Sequence, residues 1–220
     1  MQFPTRGLYL ITPDAADFDA LLETVELVLP HVACMQYRNK HALAAQAREQ
    51  ARALRELTAA SSVCFIVNDD PRLARDVDAD GVHIGEDDGD IANLRKQMGA
   101  DFIIGASCYD DASLAHAAVA AGADYVAFGA LFPSATKPHA RRANATLFTT
   151  TRDLGVPRVA IGGITPDNAS MLVRAGADLV AVISGVFDAP DPVAAARAYR
   201  ACFDIFPTRE NTSDGPPPLA

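Results

Sequence analysis

RVAIGGITPDNASMLVRAGADLVAVISG, residues 158–185, is the stretch whose reading decides the fold. It opens with an apolar run at 158–163, passes through helical spacing at 166–174 and closes with a second apolar run at 179–184. Thr165 before Pro166 marks a helix start, a cap residue followed by an N1 proline whose missing N–H costs nothing there. Gly176 stands where the helix must stop, because the turn into the next strand favours the left-handed backbone that glycine adopts freely. Both apolar runs are too continuous for strands with one wet face and suit strands buried on both faces of a parallel sheet. The stretch reads as one βαβ unit.

Working outward, the same kind of run recurs at 7–12 (GLYLIT), 33–38 (ACMQYR), 64–69 (CFIVND), 81–85 (GVHIG), 102–107 (FIIGAS) and 125–130 (YVAFGA). Ala/Leu-rich helical spacing lies between, clearest at 42–59 and 111–121, with Asp110 or Asp111 as the cap of the latter and Gly122, in a second AGAD tetrapeptide, as its stop. Eight strand candidates separated by helices predict an α/β protein of the (β/α)8 TIM-barrel class, ahead of an open doubly wound sheet. The chain of 220 residues is 50% hydrophobic and 21% charged, enough to bury a large core. With no linker-like composition between residues 7 and 206, a single catalytic domain is expected over 1–206. The remainder, 207–220 (PTRENTSDGPPPLA), has almost nothing apolar to bury and reads as a disordered tail.

A formal net charge of −9 argues against nucleic acid or an anionic membrane as partner, while a few clustered cations still suffice for a small anionic substrate. Cys34, Cys64, Cys108 and Cys202 form no metal or disulfide pattern, in keeping with a reducing compartment. The opening MQFPTRGLYLITPD lacks a basic region leading into a long apolar core, and no segment has the ~20 apolar residues of a membrane span. A cytoplasmic protein is therefore expected, and self-association into a homo-oligomer is left open.

A (β/α)8 barrel carries its active site at the C-terminal strand ends, and here those ends are polar. They bring Gln36, Arg38 and Lys40; Asn68, Asp69 and Asp70; Glu86, Asp87 and Asp88; Ser107; the loop FPSATKPHARR (132–142); Gly162 and Gly163; and Ser184 with Gly185. Arg38 and Lys40, two residues apart, can offer a forked donor and a point charge to one polyanion, or form only a surface ion pair. Asp69 and Asp88 close consecutive strands and could hold Mg2+ together; Asp70, Asp87 and Asp90 read as helix caps. The glycines and Ser184 at the last two strands suit a monophosphate held by backbone N–H groups. His83, inside an apolar run, is as compatible with a packed core residue as with catalysis. No nucleophile and base set is identifiable. Two anion sites and a metal suggest a transfer between two phosphorylated molecules.

The ordered blocks QYRNK (36–40), ND (68–69), GVHIGEDD (81–88), GAS (105–107), FPSATK (132–137), AIGGI (160–164) and VISG (182–185) closely resemble the thiamine-phosphate synthase family. The resemblance implies a transferase that condenses 4-amino-2-methyl-5-pyrimidinylmethyl diphosphate with 4-methyl-5-(2-phosphoethyl)thiazole, releasing pyrophosphate, with Mg2+ as cofactor. It implies that Gln36, Tyr37, Arg38, Asn39, Lys40, Asn68, Ser107 and Lys137 bind the pyrimidine diphosphate, Arg38, Lys40, Ser107 and Lys137 acting catalytically. Ser134, Ala135, Thr136, Gly163, Ile183 and Ser184 would hold the thiazole phosphate, and Asp69 and Asp88 the metal. The sequence departs from the family pattern at Glu86, where Gln is usual, and at Ser134-Ala135-Thr136, where Thr-Pro-Thr is usual. A related thiazole tautomerase, or a phosphate-sensing barrel without activity, would have no need to keep Lys40, Asn68, Asp69 and Asp88 together.

Overall fold

The computed structural model describes residues 2–86, 88–133 and 142–205. Strands β1 (Gly7–Ile11), β2 (Cys34–Tyr37), β3 (Cys64–Asn68), β4 (Gly81–Ile84), β5 (Ile103–Tyr109), β6 (Tyr125–Phe128), β7 (Arg158–Ile161) and β8 (Leu179–Val182) close into a barrel in sequence order. Every neighbouring pair is parallel, β8 returning to β1 with Tyr9 opposite Ala181. The fold is the (β/α)8 barrel that the alternation predicts. The longest helix among the described residues, α2 (Ala44–Ala60), follows β2. The expected 207–220 tail lies outside the described residues.

Strand residues alternate between two hydrophobic environments because successive side chains point to opposite faces. Tyr9, Ile66, Ile103, Tyr125, Val159 and Leu179 fill the barrel interior. Leu8, Leu10, Phe65, Val126 and Val180 face outward against the surrounding helices. Phe65 and Val126 are fully buried, and each such side chain contributes about 1.5–3 kcal/mol of transfer free energy. Two buried faces per strand explain the uninterrupted apolar runs.

The local signals act as read. Asp70 caps α3 (Pro71–Asp76) by accepting from Arg72 and Leu73 N–H, and Asp90 caps α4 (Ile91–Met98) through Asn93 N–H. Asp111 caps α5 (Ala112–Ala120), and Thr165 with Asn168 forms a capping box on α7 (Pro166–Ala175). Gly122 and Gly176 take φ of 108° and 113°, a conformation that disfavours any side chain.

The N-terminal end of the barrel is tied by a recurring device. Asp80, Asp124 and Asp178, each just before an even-numbered strand, accept the backbone N–H of Phe65, Ile104 and Arg158 on the strand before, at 2.8, 2.7 and 2.8 Å. Each also takes a guanidinium: Arg55 on Asp80, Arg95 on Asp124 and Arg158 on Asp178. Among the described residues no helix is long and apolar enough to cross a membrane.

Candidate active site

A cavity of about 490 Å3 opens at the C-terminal strand ends. Gln36, Arg38, Asn68 and Ser107 line it from β2, β3 and β5, Gly163, Ile183 and Ser184 from the β7 and β8 ends, and Ile11, Ala127, Val159 and Ile161 give it apolar walls. Seven residues expected from separate sequence blocks thus share one hollow. A second hollow, of about 620 Å3, lies at the opposite end beside Arg6, His31 and Arg200. None of the expected site residues lines it.

Arg38 is held by a residue that the sequence reading missed. Its Nη1 donates to Asp14 Oδ2 at 3.0 Å, and Asp14 Oδ1 accepts from Lys40 N–H at 2.7 Å. Partial burial pushes the Asp14 carboxyl up, but the Lys40 N–H and the Arg38 guanidinium outweigh it and hold it below the usual carboxylate value. Thr12 completes the clamp, its hydroxyl donating to Arg38 O while accepting from Arg38 N–H, both at 2.8 Å.

The Tyr37 and Asn39 side chains do not line this cavity. Strand alternation turns Tyr37 away from Gln36, so its hydroxyl donates to Gln50 Oε1 on α2 at 2.8 Å, and Asn39 Nδ2 donates to the same oxygen at 3.1 Å. They brace the strand against the helix, and Tyr37 is buried on the outer side of the sheet.

At the rim, Asp69 stands in left-handed backbone, φ 60°, a conformation that costs a non-glycine residue on the order of 1 kcal/mol or more. Its N–H donates to His83 O at 2.8 Å. Its side chain meets the Asp88 carboxyl, accepts from Asn68 Nδ2, and lies 3.9 Å from Lys40 Nζ. Burial first, then the Asp88 carboxyl, push Asp69 up to about 6, against the pull of Lys40 and Asn68. Asp88 also accepts from Gly85 N–H at 2.8 Å. Among the described residues no three potential metal ligands converge; these two carboxylates are a pair. Glu86 lines the cavity beside them.

Below the mouth runs a hydrogen-bonded line of side chains. Gln36 Nε2 donates to Tyr9 Oη at 2.8 Å, Tyr9 and Tyr125 hydroxyls meet at 2.8 Å, Tyr125 reaches His83 Nδ1 at 3.0 Å, and His83 Nε2 meets Ser107 Oγ at 2.9 Å. Burial pushes His83 down to about 4, with Asp88 opposing. His83 is therefore a neutral buried imidazole with both nitrogens engaged, facing the cavity without being free to act as a base. Gly105 makes the line possible: a Cβ there would overlap the Tyr125 ring. Tyr9 and Tyr125 were legible only as apolar strand residues.

Gly162 and Gly163 have φ of 102° and 62°, and a Cβ on either would strike the 130–133 segment passing over β7. Phe132 N–H donates to Gly162 O at 3.0 Å there. Ser184 and Gly185 begin α8 (Ser184–Phe187), whose first N–H groups have no intrahelical partner. Ser134, Ala135, Thr136 and Lys137, and the cap expected at Asp87, lie outside the described residues.

Polar groups gathered at the C-terminal strand ends, with glycine-lined backbone at the last two strands, define a (β/α)8 barrel with a polar-lined cavity at the end where such barrels carry their sites. A family model described as thiamine monophosphate synthase matches residues 8–186, and the chain belongs to that family. It is 58% identical over 198 residues to a thiamine-phosphate synthase of Xanthomonas campestris pv. campestris (strain 8004), covering 90% of this chain and 96% of the relative. A thiamine-phosphate synthase of Azoarcus sp. (strain BH72) is 58% identical over 200 residues, covering 90% and 97%. Among solved structures, a thiamine phosphate pyrophosphorylase from Pyrococcus furiosus superposes with a TM-score of 0.80 at 33% identity, covering 90% of this chain and 95% of that one.

Proposed function

We propose that the protein condenses 4-amino-2-methyl-5-pyrimidinylmethyl diphosphate with 4-methyl-5-(2-phosphoethyl)thiazole, giving thiamine phosphate and pyrophosphate. The observation that carries the reading is one cavity walled by Gln36, Arg38, Asn68 and Ser107 on one set of strands and by Gly163, Ile183 and Ser184 on another, in a chain of this family. The first set supplies cationic and amide groups suited to a diphosphate, the second backbone N–H groups suited to a monophosphate.

Asp69 and Asp88 fit Mg2+. Two carboxylates pressed together are a hard-oxygen donor pair whose mutual repulsion a divalent cation relieves, and Mg2+ takes one or two protein carboxylates with water and substrate oxygens completing its shell. Bound there, the ion would offset charge on the departing pyrophosphate.

The chain's own residues supply the rest. The thiazole nitrogen attacks through its lone pair as the methylene–oxygen bond breaks and its electrons leave with pyrophosphate, so no proton need be removed. A neutral, fully bonded His83 is consistent with that. Arg38 and Lys40 stabilise the charge developing on the leaving group, as Lys137 would from the following loop. Ile11, Val159 and Ile161 keep water from the electron-poor methylene.

The test is to mix purified protein, Mg2+ and both substrates. Thiamine phosphate and pyrophosphate are expected in equal amounts, and neither when one substrate is omitted. Isomerisation of a thiazole without pyrophosphate release would replace this reading with the tautomerase.

A further inference from the structure

The line of side chains beneath the cavity begins and ends at residues that face the cavity, Gln36 and Ser107, while Tyr125 in its middle is fully buried and does not line it. Such a line has a polarity, because each hydroxyl carries one proton and a neutral imidazole carries one N–H. With Gln36 Nε2 donating to Tyr9, the Tyr9 proton is free for Tyr125, and the Tyr125 proton for His83 Nδ1. The imidazole then carries its proton on Nε2 and donates to Ser107 Oγ, leaving the Ser107 proton for the cavity. At the other end Gln36, having turned its amide nitrogen to Tyr9, presents its carbonyl oxygen. The reverse polarity flips every bond: Ser107 gives its proton to His83, and Gln36 presents its NH2 group.

We infer that Tyr9, Tyr125 and His83 are positioning residues that couple the two ends of the pyrimidine-diphosphate site, so that an anion accepting from Ser107 fixes Gln36 as an acceptor for the amino group of the ring. The inference rests on the proposed condensation. An anionic oxygen at Ser107 requires the serine proton, and only the first polarity supplies it. That polarity makes Gln36 complementary to an amino substituent and mismatched to an oxo group, whose oxygen would face the Gln36 oxygen. Burial supports the arrangement: Tyr9 and Tyr125 are fully buried, and desolvation holds both hydroxyls protonated, so each has one proton to give along the line. Cooperative polarisation along consecutive bonds of this kind strengthens each of them.

Tyr125→Phe is the informative cut, since it removes one hydroxyl, keeps the ring stacked on Phe3 with centroids 3.8 Å apart, and leaves the cavity wall untouched. Steady-state rates are to be measured for wild type, Y125F, S107A and the double variant, with the aminopyrimidine diphosphate and its 4-oxo analogue as competing substrates. Y125F is expected to lower kcat/KM for the amino substrate roughly tenfold, to narrow the preference for amino over oxo by a similar factor, and to leave KM for the thiazole phosphate unchanged. In the S107A background the same change should do almost nothing, because the line no longer has an anion-facing end. Additive losses, or an unchanged amino preference in Y125F, would overturn the inference while the condensation stands. Absence of thiamine phosphate with the wild type overturns the condensation itself, and this inference with it. Should Y125F not fold, Tyr9→Phe cuts the same line and the same outcomes decide.

Discussion

At the N-terminal end of the barrel, Asp80, Asp124 and Asp178 each meet a guanidinium and a backbone N–H from the neighbouring strand. At the C-terminal end, Asp69 meets another carboxylate, an Asn68 amide and a distant ammonium but no guanidinium, in backbone that disfavours it. The same residue type is placed where it lowers the energy of the folded chain at one end and where it raises it at the other. The difference teaches that the strand ends divide their work: carboxylates satisfied by protein hold the barrel closed, while the partly unsatisfied pair at the other end is the one proposed above to hold Mg2+.

Substitutions at the two ends should therefore separate turnover from stability. Asp69→Asn removes a charge from the proposed metal pair, and turnover is expected to fall on the order of 10²–10³-fold, with melting temperature unchanged or raised and partial recovery at high Mg2+. A variant that melts well below wild type but keeps its Mg2+ requirement would make Asp69 structural. At the other end, Asp80→Ala strips the acceptor from Phe65 N–H and the partner from Arg55, costing roughly 2–3 kcal/mol. The melting temperature should drop by several degrees while KM for both substrates in the folded fraction is unchanged; altered KM would join the two ends functionally.

Gly105→Ala lies between them. The added methyl overlaps the Tyr125 ring, so a loss of roughly 1–3 kcal/mol is expected from overpacking, together with weakened selectivity for the amino substrate. Retained stability and selectivity would mean that Tyr125 can shift without consequence. The smallest expected effect concerns pH in metal-free protein. Asp69 sits at about 6 when folded, above its ordinary 3.8, so the folded state holds an extra proton between about pH 4 and 6 and loses that stabilisation as pH rises through the window. Melting curves across that range should show Asp69→Asn gaining on wild type as pH increases; a gain in the opposite direction refutes the carboxylate contact.

The barrel was legible because both faces of its strands are buried, which prints long apolar runs, and because helix caps and glycine stops act locally. The polar strand ends were legible too, since the fold itself says where to look. That the Tyr37 and Asn39 side chains turn to Gln50 was hidden by the contiguous block QYRNK, which conceals the alternation that sends every second side chain to the helix side. Asp14 and Arg38 meet across 24 positions, and Tyr9 and Tyr125 across 116. Partners so far apart become neighbours only when the sheet closes, and no local pattern marks them. The aspartates before β4, β6 and β8 did leave a trace, in the AGAD repeat and in the sequence VDADG at 77–81 once its Asp80 is aligned with them, but a turn signal masked their bonding role.

Asp14 occupies the guanidinium of Arg38 before any substrate comes. An arriving anion must therefore enter by exchange against a tethered competitor rather than by filling an empty socket. A lone phosphate trades one ion pair for another of similar worth, whereas a diphosphate brings further oxygens for Lys40 and for the amides nearby. Inorganic phosphate is expected to inhibit wild type feebly and Asp14→Asn more strongly, a comparison of inhibition constants at fixed ionic strength. The built-in rival would thus set a threshold that favours guests bringing more than one phosphate.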